Sequence, residues 1–215
     1  TVKELDSSKG QKHQYIAADF SHPEGLKTKM DKYVAENEVH ILVNNTGGPS
    51  GGPIIDAHLE EFRITFNAHL ICNHILAQAV VPSMKKANYG RIINIISTSV
   101  KQPIKGLGVS NTIRAAVANW AKTLSLELAP FGITVNNVLP GFTDTGRITQ
   151  LLKAKSEKTK KTIDELKKEM LSEIPLGRMA TAAEVANAVA FLASPAASYI
   201  SGINVPVDGG RTGNL

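Results

Sequence analysis

The side chains able to do chemistry recur at equivalent places along the chain. Asp19, Asn45, Gly47, Ser97, Pro140 and Gly141 each stand just after a short apolar run. Ser110 and Arg114 stand four residues apart in an alanine-rich amphipathic stretch, so a helix would put both on one face. His69 lies in a second amphipathic stretch, and an unperturbed imidazole titrates near about 6.5. A serine hydroxyl can hold an oxygen but is a far weaker acid than a phenol. An arginine stays charged and cannot relay a proton. Ser97-Thr98-Ser99 is not framed as a Gly-x-Ser-x-Gly elbow, which argues against a hydrolase. The six histidines and one cysteine show no metal-ligand spacing; His69 and His74, five apart, would not share a helical face well.

Stepping from residues to elements, short apolar runs alternate with amphipathic stretches, the pattern of βαβ units and a parallel sheet. Strands are expected at Tyr15-Ala18, His40-Val43, Arg91-Ile96, Ile133-Val138 and Asn204-Val207. Helices are expected with Ser21 as N-cap and Pro23-Glu24 in the first turn, running to about 36, and near 60–84, 111–128 and 182–193. Residues 49–53 form a glycine- and proline-rich loop, and 142–174 a lysine-rich excursion before the next helix. Repeats and linkers are absent, so residues 1–215 are read as one domain.

The chain has 215 residues, 42% apolar and 20% charged, which suits one globular domain with a core. No unbroken apolar run approaches the roughly 20 residues of a membrane span, and no signal peptide opens the chain. Cys72, the single cysteine, allows no internal disulfide and reads as a small buried residue. The net charge of +5 could suggest nucleic acid. Much of the excess, however, is Lys153, Lys155, Lys158, Lys160, Lys161, Lys167 and Lys168 interleaved with acids, the pattern of a solvated helix. No aromatic-basic interleaving accompanies it.

In this order the turns carry a resemblance. Asn44-Asn45-Thr46-Gly47, Gly90-Arg91-Ile92-Ile93-Asn94-Ile95-Ile96-Ser97, Pro140-Gly141, Ile174-Pro175-Leu176-Gly177-Arg178 and Val207-Asp208-Gly209-Gly210 resemble the short-chain dehydrogenase/reductase family. The resemblance covers essentially every residue and implies an α/β, Rossmann-type doubly wound parallel sheet. It implies NAD or NADP, undetermined between them, bound across the carboxyl ends of the strands. Asp19 would touch adenine, Asn45 and Gly47 would border the cofactor with Pro140 and Gly141, and Thr143 and Thr145 would lie at the nicotinamide. The 142–174 excursion falls where the family covers its substrate.

The resemblance also exposes two departures. The family opens with a strand, a glycine-rich turn and a helix that receives the pyrophosphate. Nothing in the chain matches, so this first βαβ unit, on the order of 50 residues, is missing from the sequence. It either lies upstream in the natural protein or is truly lost; Thr1-Asp6 reads as the end of a later helix. The family's chemistry also uses a serine, a tyrosine, a lysine and an asparagine. Ser97 keeps the serine, Ser110 stands at the tyrosine, Arg114 at the lysine, and His69 at the asparagine, flanked by Asn67 and Asn73. A divergent bacterial branch with a similar Asn-Thr-Gly-Gly-Pro turn and Ser-Asn-x-x-Arg helix resembles this chain. Arg114 could still hold ribose hydroxyls.

Two readings follow. In one, the protein transfers hydride between NAD(P)(H) and a small carbonyl or alcohol substrate, with His69, Lys101 or Lys105 as substitute acid and Ser97 and Ser110 on the oxygen. In the other, the scaffold binds a nucleotide or carbonyl ligand without turnover. The resemblance further implies a homodimer or homotetramer; the chain is read as cytoplasmic, and composition and spacing point to neither nucleic acid, membrane nor metal.

Overall fold

In the computed structural model, residues 2–214 are described, apart from the Arg147 side chain. Four parallel strands form one sheet in the order β1 (Ile41–Asn44), β2 (Gly90–Ile95), β3 (Ile133–Pro140) and β4 (Asn204–Val207). β2 and β3 are buried almost throughout because both their faces are covered. On one face α3 (Cys72–Ala87) and α4 (Gly108–Leu128) bury Ala77, Val80, Met84, Ala121 and Leu128 against Ile92, Ile133 and Val135, with α1 (Pro23–Glu36) packed alongside. On the other, α7 (Ala182–Ala193) presses Leu192 against Ile93 and Val138. Pairing of a two-sided parallel sheet with flanking helices is the expected α/β, doubly wound architecture.

The interior also holds a row of amides. Each strand carries an asparagine at the same level, and Nδ2 of one donates to Oδ1 of the next. Asn44 donates to Asn94 at 2.8 Å, Asn94 to Asn137 at 2.9 Å, and Asn137 to Asn204 at 2.8 Å. Satisfied amides in a dry core are tolerated and fix strand register, since a one-residue slip would turn all of them to the other face. The row ends at β1, where the buried Asn44 Oδ1 has no partner.

That end of the sheet is bare in another way. Ile41 and Val43 are 45% and 43% exposed, because α7 lies over β2, β3 and β4. The strand expected at Tyr15-Ala18 does not form; the segment is irregular, and Tyr15 is 81% exposed. A strand gains its hydrogen bonds only from a neighbour, and among the described residues none lies between this segment and β1. Among the described residues, then, β1 has an unpaired edge and a partly uncovered face, and 15–18 forms no strand.

Other expectations needed smaller corrections. His22, not Ser21, precedes α1, since Ser21 turns back to donate to the Asp19 carboxylate at 2.7 Å. The opening residues form a short 3-10 turn at Val2–Glu4; Thr1 lies outside the described residues. The expected 60–84 helix is α2 (Leu59–Phe66), a π-helical turn (Asn67–Ile71) and α3 run together. Although the sequence shows no unbroken apolar run, Leu59–Ala87 is long and apolar enough by length and composition to cross a membrane. In the fold its apolar positions Val80 and Met84 lie under the sheet. The 142–174 excursion contains α5 (Gly146–Thr159) and α6 (Ile163–Ser172), which share a small core of Ile148, Leu152 and Leu166. All seven lysines of that stretch are exposed, as a solvated helical face requires.

Candidate active site

Parallel strands end on one edge of the sheet, so the residues that follow them share a rim. Asn45–Gly48 follows β1, Ser97 lies just past β2, Gly141–Thr145 follows β3 and Asp208 follows β4. The β3 and β4 turns touch closely: a Cβ on Gly141 would come within 2.7 Å of the Asp208 Cβ. Gly47, by contrast, faces open space.

Arg114 joins the first two turns from below. Its guanidinium donates to the Ile95 carbonyl at 2.7 Å and to the Thr46 carbonyl at 3.3 Å. It is buried, and its charge is therefore met by main-chain oxygens at the ends of β1 and β2. Arg114 thus braces the turn itself. Ser110 sits one helical turn nearer the start of α4, half-buried. Ser97 is also half-buried, its hydroxyl accepting from the Ser99 amide at 3.1 Å as the cap of the 3-10 turn Thr98–Val100, which packs on α4.

His69 occupies the π-helical turn and is only 3% exposed. Burial first, and the Arg114 charge second, push its pKa down to about 4, against the pull of a hydrogen bond to the Gly47 backbone. A pKa held this low favours the uncharged ring at neutral pH. The π-turn brings the Ala68 carbonyl within 3.5 Å of the Thr46 hydroxyl, which donates to it. Thr46 and Gly47 are thus held from the α2–α3 side by Ala68 and His69, and from the α4 side by Arg114.

The remaining expected residues are distributed along the rim. Asp19 lies beside the start of α3, where the Cys72 thiol donates to the Phe20 carbonyl. Hydrogen bonds from the Ser21 hydroxyl and amide, and from His22, lower its pKa to about 2. Thr143 pairs with Ala180 as an isolated bridge, and Thr145 precedes α5 without capping it. Lys105 is exposed, and the Lys101 carbonyl accepts from Asn214 Nδ2 at 2.7 Å. Cys72 is buried, as its sequence reading implied, and its thiol is pushed up to about 11.

Three features escaped the sequence reading. Asn111 clamps the loop above the site, its amide bracketing the Ile104 main chain. Gly52 and Leu107 bridge the 49–53 loop to the same segment, the Gly52 amide donating to Gly106 O at 2.8 Å. The asparagine row did have a signal: an asparagine in or at the end of each of four short runs, at Asn44, Asn94, Asn137 and Asn204.

A family model described as enoyl-(acyl carrier protein) reductase matches residues 1–212. The 3-oxoacyl-[acyl-carrier-protein] reductase FabG of Vibrio cholerae is 33% identical over 206 residues, 95% of this chain and 78% of that protein. The chain belongs to the short-chain dehydrogenase/reductase family. The NADPH-dependent reductase BacG of Bacillus subtilis is 33% identical over 170 residues, 79% of this chain, and the chain spans 66% of BacG's length. The crystal structure of L-sorbose reductase from Gluconobacter frateurii, complexed with NADPH and L-sorbose, superposes with a TM-score of 0.85 at 29% identity, over 93% of this chain and 77% of the other.

Proposed function

We propose that the protein is an NAD(P)(H)-dependent oxidoreductase acting on a small carbonyl or alcohol compound, with a hydroxyl-based site in place of a phenol–ammonium pair. The observation that carries this is Arg114, which binds the Thr46 and Ile95 carbonyls together and so fixes the β1 and β2 turns as one surface. Relatives whose names specify NADPH-dependent reduction, and a similar structure holding NADPH, support the cofactor class.

The residues present fit the nicotinamide half of such a cofactor. Open space over Gly47 admits a ligand against the backbone, and Gly141 lets the β3 turn lie flat against Asp208. Asn45, Gly47, Pro140, Gly141, Thr143 and Thr145 would hold that half, with Asp19 toward the adenine. When bound, the cofactor supplies the hydride. Ser97 and Ser110 hold the substrate oxygen, and the first turn of α4 places its positive end toward the charge that develops there. Proton supply falls to the Ser110 hydroxyl with solvent or Lys105 behind it, since His69 is neutral. The α5–α6 hairpin covers the substrate.

A second reading, binding without turnover, is favoured by one specific observation: the Arg114 guanidinium is engaged under the turn and cannot lower the pKa of a neighbouring hydroxyl by proton relay. Titration of the full-length protein with NADPH, followed by oxidation assays over a panel of ketones and aldehydes, separates the two. Turnover that falls at least tenfold in Ser110→Ala supports the first. Tight binding with no oxidation on any carbonyl supports the second, and no binding at all defeats both.

A further inference from the structure

One side chain holds both ends of the α5–α6 hairpin. Phe142 is where the chain leaves β3 for the hairpin, and Glu173 is where it returns. Arg211 reaches both: its guanidinium carbon sits 4.3 Å over the centre of the Phe142 ring, while Nε and Nη2 donate to Glu173 Oε2 at 3.0 and 2.7 Å. The Arg211 side chain is 17% exposed against 53% for Glu173, so the arginine is the sheltered partner.

Arg211 is itself held firmly. The Asp208 carboxylate accepts from the Gly210 amide at 3.1 Å, from the Thr212 amide at 2.8 Å and from the Thr212 hydroxyl. The Leu176 amide donates to Gly209 O at 3.2 Å. Three residues beyond Arg211, Asn214 Nδ2 donates to the Lys101 carbonyl in the loop that follows Ser97. The terminal segment 208–214 therefore runs from the neck of the hairpin to the loop beside the candidate site. The neck is also closed by main-chain bonds: Ala180 N donates to Phe142 O at 2.9 Å, and Asp144 N to Ala180 O at 2.8 Å.

We propose that Arg211 is a positioning residue, a neck clamp that sets where the α5–α6 hairpin sits over the substrate and couples that position to the Ser97 loop through the 208–214 strap. This rests on the reading above that the hairpin covers the substrate. A tail that merely anchored the terminus would need no contact with both hairpin ends. A planar guanidinium can stack on a ring and still present its edge to a carboxylate, whereas an ammonium does one or the other.

The test uses the full-length protein and the variants Arg211→Met, Arg211→Lys and Glu173→Gln. Amide hydrogen exchange of 146–172 should speed up about tenfold in Arg211→Met and less in Arg211→Lys, which keeps the ion pair, with exchange in β1–β4 unchanged. For any turned-over carbonyl, KM should rise about tenfold while kcat and the NADPH dissociation constant move less than twofold. Combining Glu173→Gln with Arg211→Met should add little, since both remove the same link. Unchanged exchange in 146–172, or faster exchange spread evenly over the chain, overturns the clamp. If the wild type binds NADPH without turnover, the reductase reading fails and the exchange result still decides the clamp.

Discussion

Acidification should unfold this protein partly through His69, and the size of the effect can be worked from its surroundings. The ring is buried against Arg114 and hydrogen-bonded to the Gly47 backbone, with a pKa depressed from 6.5 to about 4. A histidine that resists protonation when folded costs nothing above the unfolded pKa, where both states are neutral. As pH falls below about 6.5 the unfolded chain takes up a proton that the folded chain refuses, so stability drops until the folded pKa is reached. At about 1.4 kcal/mol per unit, the loss is about 2 kcal/mol by pH 5 and about 3 kcal/mol by pH 4. Urea unfolding of wild type and His69→Gln at pH 7.5, 6 and 5 isolates this contribution, because every other titrating group is common to both. The two stability curves should converge by about 2 kcal/mol between pH 7.5 and 5 if the variant starts less stable. Parallel curves, or an NMR titration of His69 centred near 6.5, would falsify the argument and return the residue to the list of acids.

Further outcomes follow from the same contacts. Asn94→Ala strands the Asn44 donor and the Asn137 acceptor inside the sheet and should cost about 2–4 kcal/mol in urea unfolding. Asn94→Asp should be worse at pH 7, since a carboxylate cannot donate to Asn137 and buries a charge. Arg114→Met leaves two buried carbonyls without their charged donor, for about 2–4 kcal/mol of stability and at least a tenfold weaker NADPH affinity by fluorescence titration. A stable Arg114→Met protein with unaltered affinity would separate the turn from the ligand edge. Ser21→Ala should raise the Asp19 pKa from about 2 toward ordinary carboxylate values in a carbon-detected NMR titration, because the Ser21 hydroxyl is the first cause of its depression.

Local chemistry determined much of this protein from the sequence alone. The apolar runs of β2 and β3 admit no other place than a covered sheet, and α7 and β4 begin and end where Thr181, Ser194 and the closing Asp208-Gly209-Gly210 require. The strand-end positions of Asn45, Ser97 and Thr145 follow from the same alternation, because turns must come where apolar runs stop. The family resemblance was legible for the same reason: its motifs are those turns. What a side chain does once there depended on neighbours distant in sequence. Tyr15-Ala18 has strand composition and no strand, because a ladder needs a partner. His69 has the composition of an acid and the surroundings of a spacer, since burial and the Arg114 charge act only after α2–α3 and α4 meet over β1. Arg114 was visible as a charge one helical turn from Ser110, but its two carbonyl partners, 19 and 68 residues away, exist only in the fold. Arg211 reads as an ordinary terminal arginine until Phe142 and Glu173 are brought to either side of it. Pattern sets which residues reach the rim; packing decides their protonation and their partners, because both are properties of distance rather than of order along the chain.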